Sequence, residues 1–403
     1  MATRTRVISQ NKAVYVTPTG WNEYAEAGTP LTGNSMITGH HLHRVDTFSF
    51  EMDLAGARQD VREFGQLARI GTVNLTEVNP TFSLGYFLGD GENELALGFA
   101  KSTDGVKGQM CSGQLKEDPI LKERNVFLLT VEEGEDAFNL DDPAKMVAAQ
   151  DKHDVVGFGN CFISSYSANF SVGEIPRADI EMQASNVVFY TGINSGLINP
   201  SLNLEGERTH TGIVQLPPPS TGAGIPLVLR PQDVSISFSQ DGDGDSAIGG
   251  PSFSDLPIQS ASIELPLARE VIEALGNELA YAKLLEFPID TTLNISSLTR
   301  DFASGALEYA LTGTAENNKT SVTLDIKEGG SSKIKYILSG AVLDSQSFSQ
   351  GLDDNETVDL TFSAQIGGAS TTDQGLFFLP DADAPTFPVV SGANNKLASQ
   401  PIK

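Results

Sequence analysis

Three histidines within four residues, His40-His41-Leu42-His43, are the first side chains in this chain with the chemistry to hold a metal ion. Neutral imidazole is a common metal ligand, but the run has no Cys or carboxylate at the spacing of a zinc site. It also leads into a strand-like stretch, so a solvated loop edge is expected. Asp241-Gly242-Asp243-Gly244-Asp245 opens like a calcium loop. Its sixth position is Ser246 instead of Gly and its twelfth is Ser252 instead of a bidentate Glu, which leaves an acidic loop. Gly157-Phe158-Gly159-Asn160-Cys161-Phe162 starts as a dinucleotide fingerprint would, then places Phe where the third Gly belongs and runs into a strand. Cys161 has no His beside it, and there is no Gly-x-Ser-x-Gly elbow. His153 and His210 stand alone, and Glu132-Glu133-Gly134-Glu135-Asp136 has the composition of a solvated turn. No catalytic, cofactor-binding or metal-binding residue is assigned on this basis, no cofactor is expected, and the chain is not expected to be an enzyme.

The 403 residues carry a formal net charge of -26, with 52 Asp and Glu against 26 Lys and Arg. That balance opposes nucleic-acid affinity, because phosphate binding runs on Lys and Arg. The opening Met1-Ala2-Thr3-Arg4-Thr5-Arg6 is followed by polar residues and lacks the apolar core of a signal peptide. No apolar run is long enough to span a membrane as a helix. Cys111 and Cys161 are the two cysteines, too few for a disulfide framework, and two ordinary thiols are expected of a chain made in a reducing cytoplasm.

The elements that must position any site are short runs of Val, Ile, Thr and Phe bounded by Gly, Asn and Asp, so the fold is expected to be mainly β. Such runs lie at 14–16, 45–54, 73–75, 126–131, 161–170 and 180–189, and again at 234–238, 262–267, 289–295, 322–326, 336–342 and 357–366. The two sets share residues in register. Phe48-Ser49-Phe50-Glu51-Met52-Asp53-Leu54 followed by Ala57-Arg58 answers to Ala261-Ser262-Ile263-Glu264-Leu265-Pro266-Leu267 followed by Ala268-Arg269. Later, Ser167, Phe170, Ser171, Gly173, Ile180 and Met182 match Ser345, Phe348, Ser349, Gly351, Val358 and Leu360. A duplicated domain is the simplest source of this pattern.

The expected layout is a first domain over 1–192, a Pro-rich linker over 193–230 containing Pro217-Pro218-Pro219, a second domain over 231–379 and an extended C-terminal arm over 380–403. Register between the copies falls from 213 at Ser49/Ser262 to 178 at Gly173/Gly351, which puts an insertion in the first copy at about 100–155. One flanking helix per copy is expected: Leu267, Val271, Leu275 and Leu279 recur every four residues, and Val61 and Phe64 follow Arg58 in the first copy. A further helical turn is expected at 143–149. Each copy also has a long polar loop at the same place, over 20–39 and 241–257, a length usually tied to function.

At these paired segments the chain resembles bacteriophage tail tube proteins. The clearest carrier is Leu338-Ser339-Gly340-Ala341-Val342 followed by Gly351-Leu352-Asp353-Asp354-Asn355-Glu356 and an alternating strand from Thr357, which is similar to that family's closing hairpin. The first copy keeps Gly173 but replaces the acidic turn with Pro176 and Arg177. The resemblance implies two tandem tail-tube-like antiparallel β-sandwich or barrel domains, each with a flanking α-helix and a long inter-strand loop. It implies a virion tail component, made in the host cytoplasm, that self-assembles into stacked rings around a DNA channel. Its partners would be copies of itself, the terminator, baseplate and tape measure proteins, and genomic DNA passing without specific binding. An acidic lumen suits such passage, because like charge lets phosphates slide. The lumen candidates are Asp179, Glu181, Asp359 and Thr361. Ring-stacking loop candidates are Trp21, Asn22 and Glu23 in the first copy and Asp241, Asp243 and Asp245 in the second. If one domain fills a sixth of a ring, a trimer with pseudo-sixfold symmetry follows, against a hexamer as the competing arrangement. Rival functions are a baseplate hub or tube-initiating ring protein and a carbohydrate-binding β-sandwich.

Overall fold

The computed structural model describes residues 12–18, 36–52, 58–74, 79–102, 108–115, 123–131, 154–191, 197–202, 213–216, 229–230, 234–240, 257–273, 275, 282–298, 320–328, 330–349, 357–368 and 371–381. The first half contains β1 (Lys12–Pro18), β2 (Met36–Thr38), β3 (His40–His41), β4 (Val45–Glu51), β5 (Arg58–Val61), β6 (Gly71–Asn74), β7 (Thr81–Phe87), α1 (Glu92–Leu97), α2 (Ser112–Leu115), β8 (Arg124–Thr130), β9 (Asp154–Ser171), β10 (Arg177–Gln183) and β11 (Asn186–Thr191). Two short strands follow, β12 (Leu197–Ile198) and β13 (Ile213–Gln215). The second half contains β14 (Val234–Gln240), β15 (Ile258–Pro266), β16 (Arg269–Ile272), β17 (Ala282–Leu285), β18 (Asp290–Leu298), β19 (Thr320–Glu328), β20 (Ser331–Ser349), β21 (Thr357–Gln365) and β22 (Gly375–Pro380). The protein is mainly β and, among the named strands, only the β2–β13 pair is parallel.

Pairing in the two halves follows one scheme. The first half runs β1–β8–β9–β10–β7–β4 with β11 also beside β9, and the second runs β14–β19–β20–β21–β18–β15 with β22 beside β20. The long strands β9 and β20 each serve two sheets. Asn160 (φ 51) and Gly340 (φ 69) take up left-handed backbone at matching points, where each strand turns from one sheet into the other. Further along, irregularities opposite Glu181/Met182 and at Leu343/Ser345 bend the strands again.

These irregularities give the register between the halves. Ser49 and Ser262 hold the same place, as matched in sequence, since Val45/Thr47 and Ile258/Ser260 carry the same break. The later match needs a correction of two residues. Asn169 faces Arg177 as Ser349 faces Thr357, so Ser165, not Ser167, holds the place of Ser345. A two-residue slip preserves which face each side chain occupies, and alternation in the sequence is therefore blind to it.

The expected helices are not found among the described residues: Arg58–Val61 and Arg269–Ile272 are strands, each closing a hairpin with β6 or β17. The four-residue spacing of Leu267, Val271 and Leu275 does not reflect a buried helix stripe, because Val271 and Leu275 are exposed, Leu275 fully. Helix instead appears as α1, bounded by Gly91 and Gly98 in left-handed conformation, and as the single turn α2. The turn expected at 143–149 lies outside the described residues.

The two halves share one apolar core from Val14 and Leu84 through Tyr166 to Leu360 and Phe378. A buried polar knot ties them at its centre. Tyr86 Oη donates to Glu94 Oε1 at 2.9 Å, and the hydroxyls of Tyr166 in the first half and Tyr336 in the second meet at 2.7 Å. Burial raises the Glu94 carboxyl above its ordinary range. A smaller core of Tyr15, Phe127, Leu129 and Tyr190 is covered by Leu197, Val214 and Leu216. With both faces covered, β1 and β8 read as near-continuous apolar runs in the sequence. Cys111 and Cys161 are free and buried, and burial pushes the Cys111 thiol up to about 12.

Candidate functional site

The strand order β20–β21–β18–β15–β9–β10–β7–β4 forms one continuous sheet across both halves, joined where β15 pairs with β9. Its apolar face, with Leu84, Ile180, Tyr166, Leu265 and Leu360, lies on the core. The opposite face is mostly polar, although Val342 stands opposite Ser363 and Pro266 opposite Ser165 on it. One cross-strand row reads Gly85, Asp179, Ser167, Glu264, Thr292, Ser363. The next reads Arg177, Asn169, Ser262, Asn294, Thr361, Ser345, and another Ser171, Ser260, Ser296, Asp359, Ser347. Asp179, Glu181, Asp359 and Thr361 therefore share one face, spread over both halves. The middle of that face is a shallow concavity bordered by Asn169, Ser171, Ser262, Asn294 and Asp359.

Charge on this face is mostly negative. Its one cation in these rows, Arg177, is held at 2.8 Å by Asp46 Oδ2 and at 2.8 Å by Asp179 Oδ1, and Nη2 donates to Thr47 Oγ1 at 2.7 Å. A side chain at position 85 would stand in this cluster, since a Cβ on Gly85 would lie 2.1 Å from Arg177 Nη2. Small hydroxyls fill the remaining positions, and many satisfy one another, as Ser49 with Ser83 at 2.7 Å and Thr361 with Asn294 at 3.0 Å. Polar groups already paired within the sheet, beside unneutralised carboxylates, offer a polyanion little to bind.

The two edges of this sheet correspond to its central joint. At the joint, Ala261, Ile263 and Leu265 of β15 are buried against β9. Their counterparts are Phe48 and Phe50 on β4 and Met52 just after it, at the edge, where Phe48 and Met52 are half-buried and Phe50 is 40% exposed against 2% for Ile263. On the far edge, residues 343–349 of β20 hold the place of 163–169 of β9 but, among the described residues, pair with β21 on one side only. Val342, the counterpart of buried Phe162, is 41% exposed.

The hairpins repeat the contrast. At the base of β16–β17, Arg269 lies 4.7 Å over the Phe162 ring, and Lys283 Nζ donates to Asn79 Oδ1 and Ser185 Oγ at 2.8 and 2.7 Å, all in the first half. The β5–β6 hairpin has no corresponding contact with the second half among the described residues. Phe64 and Leu67 at its tip are fully exposed, and Val61, Ile70 and Val73 about half.

Of the other sequence candidates, Trp21, Asn22, Glu23, Asp241, Asp243 and Asp245 lie outside the described residues. The histidine run sits at the β3–β4 corner, where Glu92 of α1 comes between His40 and His43. Burial lowers His40 to about 4, lowers His43 as well, and raises the Glu92 carboxyl, each shift disfavouring the charged form. Glu92 was invisible to motif spacing, being 49 positions beyond His43.

No family model matches the chain, and no curated protein matches it. Among solved structures it is similar to the tail of an empty gene transfer agent particle refined with C6 symmetry, at 11% identity and TM-score 0.23, over 34% of this chain and 93% of that one. It is similar to the tail tube of phage SPP1 at 14% identity and TM-score 0.26, over 41% of this chain and 86% of that one. A type VI secretion system effector from Yersinia pestis matches at 10% identity and TM-score 0.19, over 36% of this chain and 95% of that one. TM-scores of this size do not establish a shared fold.

Proposed function

We propose that this chain is a structural tail tube protein of a phage-type virion, two tandem copies of one tube domain over 1–192 and 231–379, assembling into stacked rings around a DNA channel. The observation that carries this is the buried β15–β9 joint, both halves of which recur at the two ends of the same sheet without a second strand partner among the described residues and with Phe50 and Val342 exposed. Open edges of this kind are liabilities unless another chain covers them. β4 of one copy fits residues 343–349 of the next as β15 fits β9, a head-to-tail contact that closes into a ring when the rotation allows. The sheet's acidic face then lines the lumen with Asp179, Glu181, Asp359 and Thr361, and the long loops over 20–39 and 241–257 dock ring to ring. Each chain supplies two domain-sized sectors, which favours three chains per pseudo-sixfold ring. Terminator, baseplate and tape measure proteins are the expected partners in the tail.

Negative-stain microscopy of the purified protein tests this. Long tubes with a central channel are expected at high protein concentration. Isolated rings would favour a baseplate hub or initiating ring, and a monodisperse monomer at every concentration would overturn the assembly.

A further inference from the structure

We propose that His40, His43 and Glu92 form a binding site for a divalent transition-metal ion of the zinc class, one per chain, bridging the β3–β4 corner to α1. His40 Nε2 lies 3.5 Å from Glu92 Oε1 and His43 Nε2 lies 3.7 Å from Glu92 Oε2, and the three donor atoms all fall within 4.8 Å of one another. Metal–ligand bonds of 2.0–2.2 Å in tetrahedral geometry place donors about 3.3–3.6 Å apart, so both imidazole–carboxylate separations already stand near ligand spacing and rotation of the side chains would bring the remaining donors in. The donor set of two imidazoles and one carboxylate suits zinc or a similar borderline metal, with a fourth position left for water.

Each ligand is already held. His40 is fixed by pairing of β3 with Val16 of β1. Asn93, almost fully buried, grips the backbone of His43 from both sides, accepting from its N–H at 2.9 Å and donating to its carbonyl at 2.7 Å. Glu92 begins α1, whose preceding turn is locked by Arg44, which donates to Phe87 O and Asp90 Oδ1 at 3.1 Å each. A side chain on Gly91 would run into Phe378 and Pro380, so the same turn presses on the last strand of the second half. Side-chain exposures of 17–23% leave the site reachable from solvent. The corresponding stretch of the second copy, Phe253-Ser254-Asp255-Leu256, has no imidazole. The site thus distinguishes the two copies, and it stands at the foot of the long segment 20–39. It does not depend on the tube reading.

Calorimetric titration of the full chain, stripped with chelator, with zinc and then cobalt tests the site. One ion per chain is expected, with the visible d–d bands of low-coordinate cobalt, and affinity roughly a hundredfold weaker in both Glu92→Gln and His43→Ala. Glu92→Gln keeps the shape of the side chain and guards against misfolding as the cause. No saturable binding by the wild type would overturn the site, as would equal binding by wild type and Glu92→Gln, which would trace the uptake to the general acidity of the surface.

Discussion

Arg177 shows how single residues set the character of the sheet's open face. Its guanidinium carries the one positive charge among the described cross-strand rows, and Asp46 and Asp179 neutralise it. What remains for a passing polyanion is a set of carboxylates and hydroxyls, with Glu181 and Asp359 exposed and Asp179 and Thr361 partly so. Converting Glu181 and Asp359 together to Lys reverses two charges per chain without touching the core, since Ile180, Met182, Val358 and Leu360 beside them face the other way. If the chain forms the tube proposed above, particles carrying the pair are expected to assemble normally and release DNA roughly tenfold more slowly at low ionic strength. The defect should shrink as salt shortens the Debye length to about 8 Å or less. Release kinetics unchanged at every salt concentration would remove these residues from the lumen.

At the scale of elements, the β5–β6 hairpin is the most informative piece. Phe64 and Leu67 contribute nothing to the fold of a lone chain, being fully exposed. Their replacement by Ser should leave the unfolding free energy of the monomer within the scatter of surface changes, about 0.5 kcal/mol. Each side chain is worth about 1.5–3 kcal/mol when buried at a contact, so the double variant should need roughly a hundredfold or more protein to assemble. Sedimentation across a concentration series checks both halves of that expectation. The same hairpins mark where the sequence was hard to read. Alternation reports burial, so β10, β18 and β21, each with one face on the core, were legible from Ile180, Leu293 and Leu360. β16 was not, because its apolar residues are exposed and their spacing mimicked a helix. The corner that gathers His40, His43 and Glu92 was half legible: the imidazoles are three residues apart in the chain, whereas the carboxylate reaches them only because α1 packs against the β3–β4 corner.

The whole molecule is read most directly from its central joint, because that joint specifies the geometry that the proposed contact between chains would take. Within one chain Ser262 of β15 lies opposite Asn169 of β9. Ser49 holds the place of Ser262, and Ser349 that of Asn169, so Ser49 of one copy should face Ser349 of the next. Facing strand residues have Cα atoms about 4.5–5.5 Å apart, inside the span a disulfide bridges. A Ser49→Cys, Ser349→Cys variant should therefore close on oxidation into covalent rings, while each single variant stays uncrosslinked. The native Cys111 and Cys161 are buried and add no competing thiol in the folded chain. The size of the closed species on a non-reducing gel then counts the chains directly. Circular trimers mean that the two halves of each chain occupy two of six equivalent sectors, with the internal joint and the joint between chains alternating around the ring. Circular hexamers mean that only part of each chain lines the channel. Failure of the double variant to crosslink, under conditions where tubes form, would show that β4 and β20 do not meet and that the edges are covered some other way.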